Sequence, residues 1–292
     1  MPSRPPSPIP PIVSANWLAP KLRTPDLVIL DCSWYLPTSG RDAEAEYRAA
    51  HLPGALRLDL DALSAQDTDL PHMLPTPGQF AVAMEQLGIR RTDLVICYDG
   101  SGVNLSAARV WWMFRVFGHH TVAVLDGGFP MWASATRPVQ HGGSRPVRSG
   151  YPVPSIAAAL VRDKAAMMGI LVGEPPATVV DCRPAGRWRG EMDEPRAGLR
   201  KGHVAGSRNI PYTEFTDPDT GVMLDPDRLR GLLAANGLDP SQPIVAMCGS
   251  GTSACVLALA VEVLRAADPD RVGAPVAIYD GSWSEWGRIE DG

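Results

Sequence analysis

Long apolar runs, an excess of positive charge and paired cysteine motifs are all missing from this 292-residue sequence. No window approaches the roughly 18 uninterrupted apolar residues that a membrane-spanning helix needs, so we predict no membrane partner. The 27 Lys and Arg residues are outnumbered by 32 Asp and Glu residues, giving a net charge of -5. This balance excludes a general attraction to nucleic acid or to an anionic bilayer.

Cysteine is scarce, and its five copies are not spaced like the ligands of a metal. Neither a CxxC pair nor a His/Cys cluster with ligand spacing is present, so we expect no metal and no organic cofactor. An odd number of cysteines is typical of free thiols in a reducing compartment. Because no signal-like apolar segment occurs near the N-terminus, the expected location is the cytoplasm.

What the sequence does contain is one pattern written twice. The segments of the first half are LVILDCSW, YRAAHLPGALRLDLDAL, LVICYDGSG and VAVLDGGFPMW, and those of the second are TVVDCR, GHVAGSRNIPYTEF, PIVAMCGSG and VAIYDGSWSEW. The spacing between equivalent residues of the two halves is nearly constant, since Asp31 and Asp181 are 150 residues apart and Asp99 and Cys248 are 149 apart. An internal repeat of this kind predicts two similar structural units.

Each half alternates short apolar runs with segments at helical spacing. Buried strands separated by helices predict an α/β fold with a parallel sheet flanked by helices in each domain. A segment rich in Gly, Pro, Ser and Arg separates the halves and has the composition of a linker. We therefore predict an N-terminal domain over residues 12–138, a linker over 139–154 and a C-terminal domain over 155–292.

The most informative stretch is PIVAMCGSGTSACVLAL, residues 243–259, where a cysteine stands between a predicted strand and a predicted helix. Ligands of parallel α/β domains bind at the carboxyl ends of the strands, which is where Cys248 lies. Gly249 and Gly251 allow close backbone approach, and the helix N-terminus favours an anion. The loop therefore predicts that Cys248 is a nucleophilic thiolate surrounded by backbone N–H groups.

Three other interpretations of this loop compete with a nucleophile. A lone cysteine at a strand end is commonly a small buried core residue, and Cys255 in the next helix fits that description. A phosphate-binding GxxxxGK[ST] loop is absent because no lysine follows Gly251. Cysteine phosphatases need an arginine six positions after the cysteine to hold phosphate, and here that residue is Ala254.

The tandem repeat, the loop CGSGTSAC, the segment GRWRGEMDEPRAGLRKGHVAGSRNIP, and YDGSG with RVWWMFRVFGHHTVAVLDGG together resemble the two-domain rhodanese superfamily. Within it, the chain is most similar to the 3-mercaptopyruvate sulfurtransferases. The resemblance implies two rhodanese-like domains and a persulfide on Cys248 that is passed to an acceptor. The first domain carries Asp99 at the repeat position of Cys248, so it is expected to be catalytically silent.

The resemblance also implies roles for other residues. Arg187 and Arg196 match two arginines that bind the α-keto acid donor, and planar guanidinium groups suit its carboxylate and ketone oxygens. Ser250, His72 and Asp61 match a group that primes the thiol or protonates the pyruvate enolate. The expected substrate-binding residues of the loop are Gly249, Gly251, Thr252 and Ser253.

The alternative for Arg187 and Arg196 is that they are simply exposed to solvent. The alternative for His72 is a structural hydrogen bond in a loop. Thr252 and Ser253 depart from the Val-Thr or Ile-Thr usual in relatives, which leaves the donor preference open. The function expected first is sulfur transfer from 3-mercaptopyruvate, with a thiosulfate:cyanide sulfurtransferase or a non-catalytic persulfide relay as alternatives. The expected partners are a small sulfur donor and an acceptor such as thioredoxin, a small thiol or cyanide.

Overall fold

A computed structural model describes residues 9–289 of the chain. In this range ten strands form two separate five-stranded sheets. The first sheet holds β1 (Ile12–Val13), β2 (Leu27–Asp31), β3 (Leu56–Arg57), β4 (Leu94–Tyr98) and β5 (Val122–Leu125). The second sheet holds β6 (Val161–Arg162), β7 (Thr178–Asp181), β8 (Arg208–Asn209), β9 (Ile244–Met247) and β10 (Ala277–Tyr279).

Eleven α-helices accompany the strands in the described part of the chain. They are α1 (Ala15–Leu18), α2 (Ala43–Ala49), α3 (Leu60–Leu63), α4 (Pro77–Gln86), α5 (Leu105–Val116), α6 (Gly128–Ser134), α7 (Lys164–Leu171), α8 (Ala185–Trp188), α9 (Pro226–Ala235), α10 (Ala254–Ala267) and α11 (Ser282–Trp286). Short 3-10 helices lie at Ala19–Lys21, Pro37–Ser39, Ala158–Leu160, Tyr212–Phe215 and Pro269–Arg271. Over residues 9–289, none of the helices has the length and apolarity to cross a membrane.

The two sheets have the same topology. Their strand orders are β1-β5-β4-β2-β3 and β6-β10-β9-β7-β8, and every neighbouring pair of strands is parallel. The predicted α/β class, with two similar parallel sheets flanked by helices, is therefore confirmed. The segment after the first sheet is not a free tether, because Gln140 bridges to His51 and buried Tyr151 hydrogen-bonds to His119 at 3.0 Å.

The two halves pack against each other through α5 and α10, which follow the central strands β4 and β9. Both helices are buried along nearly their whole length, and their apolar side chains belong to one continuous core. An ion pair between Arg115 of α5 and Glu262 of α10, 3.1 Å apart, also crosses this contact. Helices without a polar face are expected where both sides are covered by protein.

Each half also sends a loop onto the other half. The loop before α4 contacts the second half, where the Leu74 N–H donates to Asp280 at 2.8 Å. The loop between Thr216 and Met223 contacts the first half in the same manner, where the Met223 N–H donates to Asp126 at 2.8 Å. As a result, residues of the first half reach the loop that follows β9.

Candidate active site

Cys248 directly follows β9 at the carboxyl edge of the second sheet. Its side chain is only 2% exposed, as the core-residue interpretation expects, yet it lines a small cavity of about 130 Å³. The remaining lining comes from both halves of the chain: Trp34, Leu36, Leu105, Pro184, Arg187, Pro195, Arg196, Tyr212, Gly249, Ser250, Thr252 and Ser253. Cys248 is therefore shielded from bulk water but open to a small ligand.

The loop after Cys248 is fixed through its carbonyl groups. The Cys248 carbonyl accepts from the Trp283 N–H at 3.0 Å, and the Gly249 carbonyl accepts from the Ser284 N–H at 2.9 Å. Among residues 9–289, no group accepts a hydrogen bond from the backbone N–H groups of 249–253. These donors precede the 14-residue helix α10, so the loop can stabilise an anion on or next to the thiol.

The structure brings Ser250, His72 and Asp61 together from both halves. Nδ1 of His72 lies 2.8 Å from Ser250 Oγ, and Nε2 lies 3.0 Å from Asp61 Oδ1. Since a carboxylate only accepts, Nε2 carries the proton and Nδ1 accepts from the Ser250 hydroxyl. The Thr252 hydroxyl is a second neighbour of Nδ1, at 3.1 Å.

The surroundings favour the neutral form of His72. Burial lowers the pKa of the imidazole, and the hydrogen bond that His72 donates to Asp61 opposes this effect. The hydrogen bond that Asp61 accepts from His72 lowers the pKa of Asp61, whose other oxygen accepts from Trp34 Nε1 at 3.0 Å. The pair is thus a neutral base held by an ionised carboxylate near neutral pH.

Arg187 is held in place by a carboxylate. It projects from α8, and its Nε donates to Glu194 Oε2 at 3.1 Å while its Nη2 contacts the same oxygen. Glu194 is 2% exposed and also accepts from Arg183 Nη1 at 2.7 Å. The Arg187 Nη2 lies beside the loop, because a Cβ on Gly249 would be only 3.2 Å from it.

Arg196 lies in the same cavity without such a partner. Among the described residues, no hydrogen bond or ion pair to its guanidinium is present. Burial lowers its pKa, and the nearby Cys248 acts in the opposite direction. A partly desolvated guanidinium without a carboxylate is suited to an anionic ligand.

The other predicted loop residues divide into two groups. Gly249, Thr252 and Ser253 line the cavity together with Ser250. Gly251 does not, since it lies behind the loop, where a Cβ would meet Arg109 Nη1 and the Asp280 carbonyl at 3.0 Å. Its φ of +74° also favours glycine, so its role is to let the loop pass close to these groups.

The equivalent loop of the first half already contains an anion. Asp99 directly follows β4, is fully buried, and accepts from the N–H groups of Ser101 and Ala107, both at 2.8 Å. Its carboxylate thus binds one N–H of its own loop and one N–H in the first turn of α5. This position therefore carries no thiol, and the catalytic silence of the first domain stays a prediction.

The repeat-related histidines His51 and His203 lie outside the cavity. The Nδ1 of each is 2.8 Å from a backbone carbonyl, that of Tyr47 for His51 and that of Trp188 for His203. Each ring also stacks on the aromatic ring of the same partner. Their shared geometry is therefore structural.

Sequence reasoning missed three residues of the cavity region. Glu194 lies between the two predicted arginines in the sequence. Its position in EMDEPR, two residues before Arg196, is the feature from which a role at the site could have been predicted. Trp34 contacts both Asp61 and the ring of His72, whose centroid is 4.5 Å away. Tyr212 lines the cavity, and burial, with a further contribution from Cys248, raises the pKa of its phenol. In residues 9–289 no cluster of His, Cys, Asp and Glu could hold a metal.

Comparison with known proteins gives the same pattern over nearly the whole chain. The profile of the rhodanese-like domain matches twice, at residues 14–135 and 167–288. The 3-mercaptopyruvate sulfurtransferase of Rattus norvegicus is 41% identical over 280 residues, covering 94% of this chain and 91% of the relative. The thiosulfate sulfurtransferase of Rattus norvegicus is 39% identical over 285 residues, covering 95% and 92%. The crystal structure of the 3-mercaptopyruvate sulfotransferase SseA from Escherichia coli superposes with a TM-score of 0.81 at 34% identity, covering 94% of this chain and 99% of that one.

Proposed function

The chain belongs to the rhodanese family, and on that premise we propose that it is a sulfurtransferase that takes sulfur from 3-mercaptopyruvate. The observation that carries the proposal is the cavity in which Cys248 lies with the guanidinium groups of Arg187 and Arg196. The relatives with which it aligns along most of their length are named for this donor. The division into residues 12–138, 139–154 and 155–292 remains part of the proposal, supported by the separation of the two sheets.

The reaction proceeds through a persulfide. The Cys248 thiolate attacks the donor sulfur, the sulfur–carbon bond breaks, and its electron pair goes to the pyruvate enolate. The proton lost by the transferred sulfur reaches the enolate carbon through the Ser250 hydroxyl, with His72 and Asp61 as the relay. An acceptor thiolate then attacks the outer sulfur, and Cys248 leaves as a thiolate.

The cavity provides a chemical group for each step of this reaction. The free N–H groups of 249–253 stabilise the anionic sulfur. Arg196 is free for the donor carboxylate, and Arg187, oriented by Glu194, faces the keto oxygen. Because charge on that oxygen increases as the enolate forms, the second contact strengthens in the transition state.

Thiosulfate is the second candidate donor. A relative that is named for it aligns at 39% identity, so the family alone does not distinguish the two donors. The segment Gly249–Ser253 carries no cationic side chain, and both arginines come from outside it. A pair of spaced guanidinium groups fits the carboxylate and ketone of an α-keto acid better than a compact dianion. A relay module without a small donor would not need this pair.

The acceptor is proposed only by class. The persulfide in a cavity of about 130 Å³ is open to a small thiol or to cyanide, and a protein thiol such as thioredoxin would have to reach its mouth. The proposed compartment is the cytoplasm, supported by five free cysteines, all buried and none in a disulfide among the described residues.

Turnover by the purified protein tests the proposal. Pyruvate release from 3-mercaptopyruvate and sulfite release from thiosulfate should be measured with the same thiol acceptor. We expect kcat/KM for 3-mercaptopyruvate to exceed that for thiosulfate. A preference for thiosulfate would transfer the assignment to the second candidate, and no turnover of either donor would support a relay.

A further inference from the structure

A fully buried ion pair joins the two halves directly behind the catalytic loop. Arg109 of α5 is 0% exposed, and its Nη2 lies 2.7 Å from Oδ1 of Asp280, the residue that follows β10. Neither side chain lines the cavity that contains Cys248. The pair therefore has no direct contact with the donor, and its function has to come from what it holds.

The pair binds the backbone directly after His72, on both sides of Met73. The Arg109 Nη2 donates to the His72 carbonyl, and Asp280 Oδ2 accepts from the Leu74 N–H at 2.8 Å. His72 has a φ of 61°, a left-handed conformation that is uncommon outside glycine and costs free energy. The two charged groups offset this cost, because they satisfy the backbone groups that the conformation turns toward them.

The same guanidinium also reaches the catalytic loop. Its Nη1 donates to the Gly251 carbonyl at 3.4 Å, and a side chain on Gly251 would collide with it. Ser250 and Thr252, on either side of Gly251, carry the two hydroxyl groups next to His72 Nδ1. Arg109 is supported from below by the Trp112 ring, whose centroid is 4.5 Å from the guanidinium carbon.

We propose that Arg109 and Asp280 are positioning residues that set the contact between His72 and Ser250 across the two halves. The inference rests on the proposed function, since it assigns a role within the same proton relay. Displacement of a relay group by about 1 Å can cost on the order of 100-fold in rate. The effect should fall on kcat, because Arg187 and Arg196 are not in contact with the pair.

The test compares the two ion pairs that α5 forms with the second half, one with Asp280 after β10 and one with Glu262 on α10. Arg109→Gln and Asp280→Asn remove the pair behind the loop, and Arg115→Gln removes the pair with Glu262, which contacts neither His72 nor Gly251. We expect a loss in kcat of about 10- to 100-fold for the first two variants, with KM for 3-mercaptopyruvate within about 3-fold of the parent. Arg115→Gln should retain the kcat of the parent, even if its thermal midpoint falls as much as those of Arg109→Gln and Asp280→Asn. Arg109→Lys should recover part of the loss, since a point charge satisfies Asp280 but not both carbonyls.

A second readout does not depend on turnover. The charged groups that face His72 are Asp61, Arg109 and Arg196, and the charge of Arg109 lowers the His72 pKa. NMR titration of the imidazole should therefore show a higher pKa in Arg109→Gln and an unchanged one in Arg115→Gln. If Arg109→Gln does not fold, the nearly isosteric Asp280→Asn decides the matter through kcat.

The possible outcomes separate this inference from the proposed function. A parent without 3-mercaptopyruvate turnover refutes the function, whereas the His72 titration, which needs no turnover, still shows whether Arg109 acts on His72. A parent with turnover and an Asp280→Asn variant with unchanged kcat refutes the positioning role alone. Equal loss of kcat in Arg115→Gln would also refute it, because any loosening of the helix contact would then have the same effect.

Discussion

Replacement of Arg196 should separate the two sulfur donors. The Arg196 guanidinium is partly buried in the cavity and has no carboxylate partner among residues 9–289, so Arg196→Gly leaves no buried acid unpaired. The lost interaction is one charge-assisted hydrogen bond to the donor, worth about 1.5 to 3 kcal/mol. This corresponds to a decrease in kcat/KM for 3-mercaptopyruvate of roughly 10- to 150-fold.

Arg187→Gly is expected to give a similar loss with an added cost in stability. Its removal takes one of two arginines away from the buried Glu194, and that carboxylate would then depend on Arg183. A decrease in the thermal midpoint should therefore accompany the loss of activity in Arg187→Gly and be smaller in Arg196→Gly. Lysine at position 196 should restore activity only in part, because it cannot form a bidentate contact.

The assay is kcat/KM for both donors in parent and variants, with Arg189→Gly as the matched control. Arg189 is half-exposed, pairs with Glu191 and lies outside the cavity. Its loss should therefore change kcat/KM for neither donor. Thiosulfate turnover should fall less than 3-mercaptopyruvate turnover in Arg196→Gly, or rise. Equal losses for both donors would refute the reasoning and strengthen the thiosulfate candidate.

The remaining predictions concern the first domain and pH. Asp99→Cys should not rescue turnover in a Cys248→Ser background, because residue 99 does not line the cavity that contains Arg187 and Arg196; restored turnover of 3-mercaptopyruvate would contradict this. Burial lowers the pKa of His72, so the acidic limb of the kcat/KM profile should lie below the ordinary histidine value of about 6.5. Asp61→Asn should move this limb to lower pH, since Asp61 raises the pKa of His72; a limb that stays in place would assign it to another group. Because its pKa is lowered in the folded state, His72 contributes fully to the free energy of unfolding above about pH 6.5, and this contribution declines below that pH. Urea unfolding of the parent and of His72→Gln between about pH 5 and 7.5 can measure the difference.

The sequence predicted the central strands because their signal is strong. LVILD, LVICY, TVVD and IVAM form strands at the predicted residues, since apolar runs buried on both faces allow few alternatives. The two-residue strands, such as Ile12–Val13 and Val161–Arg162, were not predicted. A segment this short has no periodicity, and only its pairing with β5 or β10 defines it as a strand.

The site was predictable to the extent that the family resemblance covered it. Cys248, Ser250, His72 and Asp61 were named from motifs, but their meeting depends on the loop that the first half sends to the second. The internal partners Glu194 and Asp280 were missed because an acidic residue in a loop is usually solvated, and burial cannot be read from a single sequence. Asp99 shows the same limit, since only the structure reveals a buried carboxylate bound to the N–H groups of Ser101 and Ala107.

Mass spectrometry of the protein after incubation with 3-mercaptopyruvate, without acceptor, tests the central claim most directly. We expect one added sulfur atom, about 32 Da, on the peptide that contains Cys248, removed by a thiol acceptor with release of the sulfur. Cys248→Ser should show neither the adduct nor turnover, although Cys32, Cys97, Cys182 and Cys255 remain. An active Cys248→Ser enzyme with the persulfide on one of those four cysteines would contradict the account.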